Sequence, residues 1–248
     1  MINGWIMLNK PKGFTSNYCV NFIKKKFQIK KIGYAGTLDP LATGLLPLAI
    51  GESTKSIKYF EKLDKTYFFT SVWGEETTTL DDEGQIINRS NVIPTKADLQ
   101  KIIKKFIGNI EQKPPNYSAI KINGVRAYNL ARKGVEFEVK PKKVSIYNIK
   151  VVNHNSSNNQ TSFLLKCSKG CYVRSLTRDI ARELGTFGYC KQIERRRVGI
   201  FSKNVSINLD YCVKMKKKED LKKFLLDIPD VLYHIPQIKL DDNRLELI

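Results

Sequence analysis

Asp39 is the residue best placed by its setting to do chemistry. It lies in the run Gly33-Tyr34-Ala35-Gly36-Thr37-Leu38-Asp39-Pro40-Leu41-Ala42-Thr43-Gly44. Pro40 pushes Asp39 out of the helical region into an extended conformation. Gly36 and Gly44 remove side chains on either side and let another backbone come close. An acidic residue on a Gly-flanked loop of a very basic protein is placed where a phosphate-rich partner could bring a sugar to it. Asp-Pro is also an ordinary turn starter, so the spacing alone leaves both readings open. Arg174, Arg178 and Arg182 recur every four residues. They read either as a solvated helix stripe or as the source of a guanidinium fork for a carboxylate or phosphate. Tyr67 stands in a β-branched and aromatic stretch, Lys65 to Trp73, where alternation puts Tyr67 and Phe69 on one face and Phe68 on the other.

The chain supplies a strongly positive setting for these groups. Lysine and arginine number 43 against 24 acidic residues, a formal charge of +19. Such an excess is costly in self-repulsion unless a polyanion uses it, although a general compositional bias gives the same count. Between Lys101 and Lys150 there are 12 basic residues and only Glu111, Glu136 and Glu138 on the acidic side. The five cysteines (Cys19, Cys167, Cys171, Cys190 and Cys212) are odd in number and form no C-x-x-C. They read as reduced thiols, and with His154 and His234 as the two histidines no metal site is expected. No apolar run approaches the ~20 residues that span a bilayer. Met1 to Lys12 lacks the features of a signal peptide, so a cytoplasmic location is expected.

The elements that must position these residues follow from periodicity and punctuation. Ile2 to Leu8 reads as a strand entering a turn at Lys10-Pro11-Lys12-Gly13, and Thr15 or Ser16 can cap a helix carrying Val20, Ile23 and Phe27 inward. Gly33 to Gly44 reads as a loop, and Leu45 to Ile50 and Lys65 to Trp73 as strands. Thr95 to Phe106 predicts a helix buried through Leu99, Ile102, Ile103 and Phe106. Lys142 to Asn153 and Ser162 to Cys167 predict strands around the polar tip Asn155 to Gln160. Tyr172 to Leu184 predicts a helix stopped by Gly185, and Lys216 to Leu226 a last, Lys-rich helix. Strands and helices mix without a βαβ rhythm, which favours an α+β fold with a largely antiparallel sheet.

The nine residues from Gly36 to Gly44 match at every position the catalytic loop of TruB-type tRNA pseudouridine synthases, and the chain resembles that family in order along most of its length. Lys10-Pro11-Lys12-Gly13 is similar to the family's N-terminal motif, and Lys65-Thr66-Tyr67 to its Lys-x-Tyr strand. Pro114-Pro115-x-Tyr117-Ser118-Ala119-x-Lys121 resembles the insertion that grips RNA. Ser168-Lys169-Gly170-x-Tyr172-x-Arg174 resembles the motif holding an active-site arginine. Arg196-Arg197-Val198-Gly199-x-Phe201 resembles the closing motif, with Ile193 where the family places an apolar residue against the base.

The resemblance implies a pseudouridine synthase fold, a mostly antiparallel bent sheet flanked by helices and loops, with an RNA-gripping insertion at about 113–141. It implies a catalytic domain over 1–230 and a tail, 231–248, standing where relatives have a small RNA-binding domain. The implied activity is isomerisation of one uridine in the T loop of tRNA, with no cofactor and no metal, by a monomer that needs no protein partner. Asp39 is then nucleophile or base, Arg174 its ion partner, and Tyr67 the ring stacked on the base. Lys10, Tyr34, Gly36, Thr37, Leu38, Lys121, Tyr172 and Ile193 are the implied substrate contacts. Tyr34 stands where the family usually has His. The competing readings are a tRNA-folding chaperone with little turnover and a synthase directed to rRNA.

Overall fold

The β-branched and aromatic runs pair into one ten-stranded sheet that carries the rest of the chain. The computed structural model describes residues 2–238. In chain order it forms β1 (Gly4–Lys10), α1 (Ser16–Lys26), β2 (Ile32–Tyr34), β3 (Thr43–Ile50), α2 (Ile57–Phe60) and β4 (Lys65–Trp73). A small hairpin, β5 (Glu75–Thr77) and β6 (Ile86–Arg89), precedes α3 (Lys96–Ile102) and β7 (Gly108–Gln112). The insertion holds β8 (Lys121–Ile122), β9 (Val125–Arg126) and α4 (Ala127–Arg132). Then come β10 (Lys142–Asn155), β11 (Gln160–Cys167), α5 (Val173–Glu183) and β12 (Gly188–Val198). The last described elements are β13 (Phe201–Ser202), β14 (Ile207–Asn208), α6 (Leu209–Lys214), α7 (Lys218–Lys222) and α8 (Ile228–Val231).

The sheet runs β14-β1-β3-β12-β4-β11-β10-β7, with β2 beside β3 and β13 beside β12. Only β1–β14 and β3–β12 pair in parallel, so the fold is the expected α+β with a mostly antiparallel sheet. β1 buries both faces, which explains its nearly continuous apolar run. Ile6 and Leu8 enter one cluster with Leu46, Leu48, Phe69, Phe163, Leu176 and Ile180. Trp5 and Met7 enter a second with Leu45, Ala49, Phe60, Phe201 and Val231. Phe69 and Phe163, neighbours in register across β4 and β11, stack at 5.0 Å between centroids, a packing worth more than their buried area alone.

Several boundaries differ from the sequence expectation. The loop after α1 is shorter, because Ile32–Tyr34 joins the sheet and β3 begins at Thr43. The predicted helix Lys216 to Leu226 is a single turn, Lys218–Lys222, since Leu226 leaves it to bridge Trp5 of β1. β12, a strand near the middle of the sheet, was not expected at all. At the start of the 231–248 segment Val231 is fully buried and Tyr233 meets Phe201 edge-on. Of the expected tail, residues 239–248 lie outside the described residues.

Gly44 is the position where the parallel join of β3 and β12 requires glycine. Its φ is +99°, and a Cβ there would sit 2.3 Å from the carbonyl oxygen of Arg195. Gly13 has φ +86° but nothing within 4 Å of such a Cβ. Gly13→Ala therefore meets backbone strain alone and should cost about 1 kcal/mol, whereas Gly44→Ala must also push two strands apart and should cost about 3 kcal/mol or more. Urea unfolding of the two variants checks the order; equal midpoints would contradict it.

Candidate active site

The loop between β2 and β3 is held from four directions. Ser16, the first residue of α1, clamps Leu38: its Oγ accepts from the Leu38 amide at 2.9 Å and donates to the Leu38 carbonyl at 3.0 Å. Thr15 caps the same helix, leaving Ser16 free for the loop. Pro40 offers its carbonyl to the Gly13 amide at 2.8 Å and to Lys10 Nζ at 3.3 Å. Arg195 Nη2 donates to the Gly36 carbonyl at 2.9 Å, while its Nε donates to Leu45 at 2.7 Å. The loop backbone is thus fixed on both sides of Asp39, as a site demanding sub-ångström placement requires.

Asp39 leans on Arg174, the second residue of α5. Arg174 Nη2 lies 2.8 Å from Asp39 Oδ2, and Nη1 lies 3.2 Å from Asp81 Oδ2. The same two nitrogens donate to the carbonyls of Thr79, at 2.7 Å, and Tyr117, at 2.9 Å. The Arg174 side chain is 4% exposed and that of Asp81 5%, whereas Asp39 keeps 36% of its side chain open. One guanidinium therefore joins a buried carboxylate behind it to a half-open one in front. Burial raises the Asp81 carboxyl above its ordinary value, against the pull of Arg174.

In front of Asp39 lies a cleft of about 480 Å³ lined by Gly36, Thr37, Leu38, Ala42, Tyr67, Tyr172, Ile193 and Arg195, among others. Burial raises the Tyr67 hydroxyl well above its usual range, and the nearby Arg195 only partly offsets this, so the phenol stays protonated at neutral pH. Tyr172 is raised in the same direction by burial. Its backbone is fixed by Gln112, whose amide accepts from the Tyr172 N–H at 2.7 Å and donates to its carbonyl at 3.1 Å. Asp39, Tyr67 and Ile193 face one volume, which suits a planar ring held between aromatic and aliphatic walls with its attached carbon next to a carboxylate.

The structure brings together Asp39, Arg174, Tyr67, Gly36, Thr37, Leu38, Tyr172 and Ile193. It does not bring Lys10, Tyr34 or Lys121 to the lining. Lys10 is fully buried and donates to the carbonyls of Pro11, Phe14 and Pro40; burial pulls its ammonium down to about 8, so it supports the loop rather than touching a ligand. Tyr34 sits on β2, packed partly into the core. Lys121 is exposed on the insertion. The solvated-stripe reading of the α5 arginines holds only for Arg182, since Arg178 is also buried and donates to the Lys113 carbonyl at 2.8 Å, tying the insertion to α5. Sequence reasoning missed Asp81, Arg195, Ser16 and Gln112. Among the described residues no group of three or more His, Cys, Asp or Glu could hold a metal ion.

Residues 24–173 match the family described as "TruB family pseudouridylate synthase (N terminal domain)". A protein named tRNA pseudouridine synthase B from Ehrlichia ruminantium (strain Gardel) is 47% identical over 96% of this chain and 80% of its own length. One of the same name from Caulobacter vibrioides is 44% identical over 98% of this chain and 78% of its own length. Among solved structures, a Cbf5-Nop10-Gar1 complex superposes with a TM-score of 0.75 at 25% identity, covering 98% of this chain and 66% of that one. The fold is shared with a chain of an H/ACA ribonucleoprotein bound to a substrate RNA, at a TM-score of 0.73 and 22% identity over 98% of this chain and 65% of that one.

The shared guanidinium gives a stability test. Removing it by Arg174→Met strands the buried Asp81 carboxylate and should cost about 3–5 kcal/mol in urea unfolding. Adding Asp81→Leu removes the stranded charge and should restore at least about half of that loss. A double variant no more stable than Arg174→Met would show that the pair is not energetically linked.

Proposed function

This chain belongs to the TruB family of pseudouridylate synthases, and from that premise we propose that it isomerises one uridine in the T loop of tRNA, with Asp39 as the reacting carboxylate. The chain is an isomerase of tRNA uridine. The observation that carries the assignment of residues is the Asp39–Arg174 contact of 2.8 Å at the floor of a cleft walled by Tyr67 and Ile193.

The reaction breaks the N1–C1′ glycosidic bond, turns the freed uracil and joins C1′ to C5; the C5 proton leaves and N1 gains one. Asp39 attacks C1′ or takes the C2′ proton, and in either route it must be ionised and correctly aimed. Arg174 aims it through one charge-assisted contact of 2.8 Å. Asp81, behind Arg174, fixes the guanidinium in the plane that Asp39 needs. Tyr67 stacks on the uracil, and its protonated hydroxyl is a donor within the pocket. Ile193 closes the other side of the ring and keeps water from the sugar carbon. Gly36, Thr37, Leu38 and Tyr172 shape the mouth of the cleft.

A uridine inside a folded loop must be extruded before C1′ is reached, at a cost of roughly a few kcal/mol that pocket stacking and hydrogen bonds offset. The basic insertion, tied to α5 through Arg178 and Ser175 on the Lys113 carbonyl, is the clamp on the T-arm phosphates. Lys121 and Arg126 belong to that clamp. The enzyme acts as a cytoplasmic monomer without cofactor or protein partner. Among the described residues no helix is long and apolar enough to cross a membrane.

Asp39→Asn should abolish pseudouridine formation in tRNA incubated with the purified protein, while tRNA affinity stays within about threefold, because binding rests mainly on phosphate contacts. Pseudouridine mapping and a binding titration check the two halves. Turnover by the variant would remove Asp39 from its role. Tight binding by the unsubstituted chain with no turnover would favour the chaperone reading.

A further inference from the structure

The solvent face of the sheet, on the other side of β4 from Tyr67, is built like a second nucleic-acid surface. The register across β12, β4, β11 and β10 sets Glu194, Phe68, Leu164 and Lys150 in one row. The next row along is Gln192, Thr70, Ser162 and Asn153. Directly opposed residues share a face, so these side chains form one continuous patch. None of the helices that bury Phe69 and Phe163 covers it: Phe68 and Leu164 remain half-buried, and Lys150, Gln192 and Asn153 are exposed.

Three features distinguish this patch from an ordinary wet sheet face. First, aromatic rings lie beneath cations. The Arg196 guanidinium sits 4.4 Å from the centroid of Phe68, and Lys166 Nζ sits 5.8 Å from that of Tyr147, which is 48% exposed. Second, a cavity of about 350 Å³ opens at the row next to Phe68, lined by Thr70, Ser162, Gln192 and Asn153 together with the charged Lys12 and Asp82. Thr70 and Ser162 hydrogen-bond each other at 2.9 Å, which leaves the amides free to read a ligand. Third, the charge is mostly positive: Lys150 and Lys166 stand on β10 and β11 and Lys191 lines the cavity opposite Asp82, while Glu194 holds Arg196 at 2.9 Å and Lys203 at 2.6 Å and so orients two of the cations.

We propose that this face binds an unpaired RNA strand, with a base stacked at Phe68 and Arg196, a neighbouring base in the Thr70–Gln192 cavity, and the phosphates on the surrounding lysines. Stacking platforms ringed by cations, with amides to meet base edges, are what single strands require. A duplex would use the cations but neither the ring nor the cavity. A second copy of this chain is disfavoured by like charge on a protein of net charge +19. The site lies on the other face of β4 from the cleft of Asp39, with Leu41 and Thr43 of the Gly36 to Gly44 run in its lining, so it gives the enzyme a hold on RNA outside the reacting nucleotide.

The test is fluorescence anisotropy of a labelled single-stranded RNA octamer with the full chain, followed by photo-cross-linking of a 4-thiouridine version. The variant Lys150→Ala/Lys166→Ala/Arg196→Ala touches no group placed in the cleft. It should weaken octamer binding by about tenfold or more through lost phosphate and stacking contacts, and leave isomerisation of a T-arm stem-loop within about twofold. Cross-links should fall on residues 142–167 and 189–203. Preserved stem-loop turnover shows that the variant is folded. If turnover falls as well, circular dichroism and the cross-link map of the unsubstituted chain decide, and cross-links on the sheet face uphold the proposal. Octamer affinity unchanged in a folded variant, or cross-links confined to the insertion and the cleft, would overturn it. So would displacement of the octamer, one for one, by a T-arm stem-loop. Octamer binding at the sheet by a chain that fails to isomerise tRNA would uphold this site while removing the proposed function.

Discussion

Arg174 is a guanidinium almost wholly out of water, and the site depends on how its charge is satisfied. Isolating such a group in a low-dielectric interior would be prohibitive. It is tolerable because two carboxylates and two backbone carbonyls converge on its terminal nitrogens, and these come from three separate segments: the 35–42 loop, the Thr79–Asp81 turn and Tyr117 of the insertion. The requirement works as a lock. Each segment can settle only where it meets the guanidinium, so satisfying one buried charge assembles the loop, the turn and the insertion around one point. Asp39 alone keeps solvent access, and it alone remains available to react.

The sheet supplies the frame that makes this convergence possible. β12 lies between β3 and β4, so the loop before β3 and the strand carrying Tyr67 are both positioned by it. Arg195 extends the link by reaching from β12 to the Gly36 and Leu45 carbonyls beneath Tyr67. The absence of a Cβ at Gly44 is the steric condition for that approach. The insertion is tied at its base, where Lys113 meets Ser175 and Arg178, while Lys121 and Arg126 stay outside. The insertion is thus fixed at its base and, through the Tyr117 carbonyl on Arg174, to the ion pair of Asp39, while its cationic outer part stays in solvent.

Much of this was legible in the residues, and the exceptions have physical causes. Strand β4 was readable from its β-branched and aromatic run, and helix α5 from the spacing of Val173, Leu176, Ile180 and Leu184 before Gly185. Asp39 was ambiguous as an Asp-Pro turn and was singled out by the match of its whole loop, Gly36 to Gly44, to the family. β12 was hidden because bulges at Cys190/Gln192 and Arg195/Arg197 break the two-residue period, and because Glu194-Arg195-Arg196-Arg197 reads as solvated charge. Arg195 is in fact fully buried, its cost met by carbonyls that no sequence pattern reveals. Asp81 looked like one acid in a polar turn, since the partner that defines it lies 93 residues away on α5. Lys10 was read as a support for the loop or a contact to phosphate, and its ammonium goes to the loop backbone, at the Phe14 and Pro40 carbonyls.

The buried cations have a further electrostatic consequence. Lys10, Lys65 and Arg195 surround the cleft floor, and none lies within 4 Å of a carboxylate among the described residues. Lys65 donates to the Glu61 and Leu63 carbonyls at 2.6 Å each, and burial pulls it down to about 8. Carbonyl dipoles satisfy the hydrogen bonds of these groups but leave their net charge uncancelled. The floor therefore keeps a positive field that water screens poorly. An RNA phosphate drawn to the mouth of the cleft supplies the missing negative charge. Positive charge that is costly to the empty protein is thus recovered on binding.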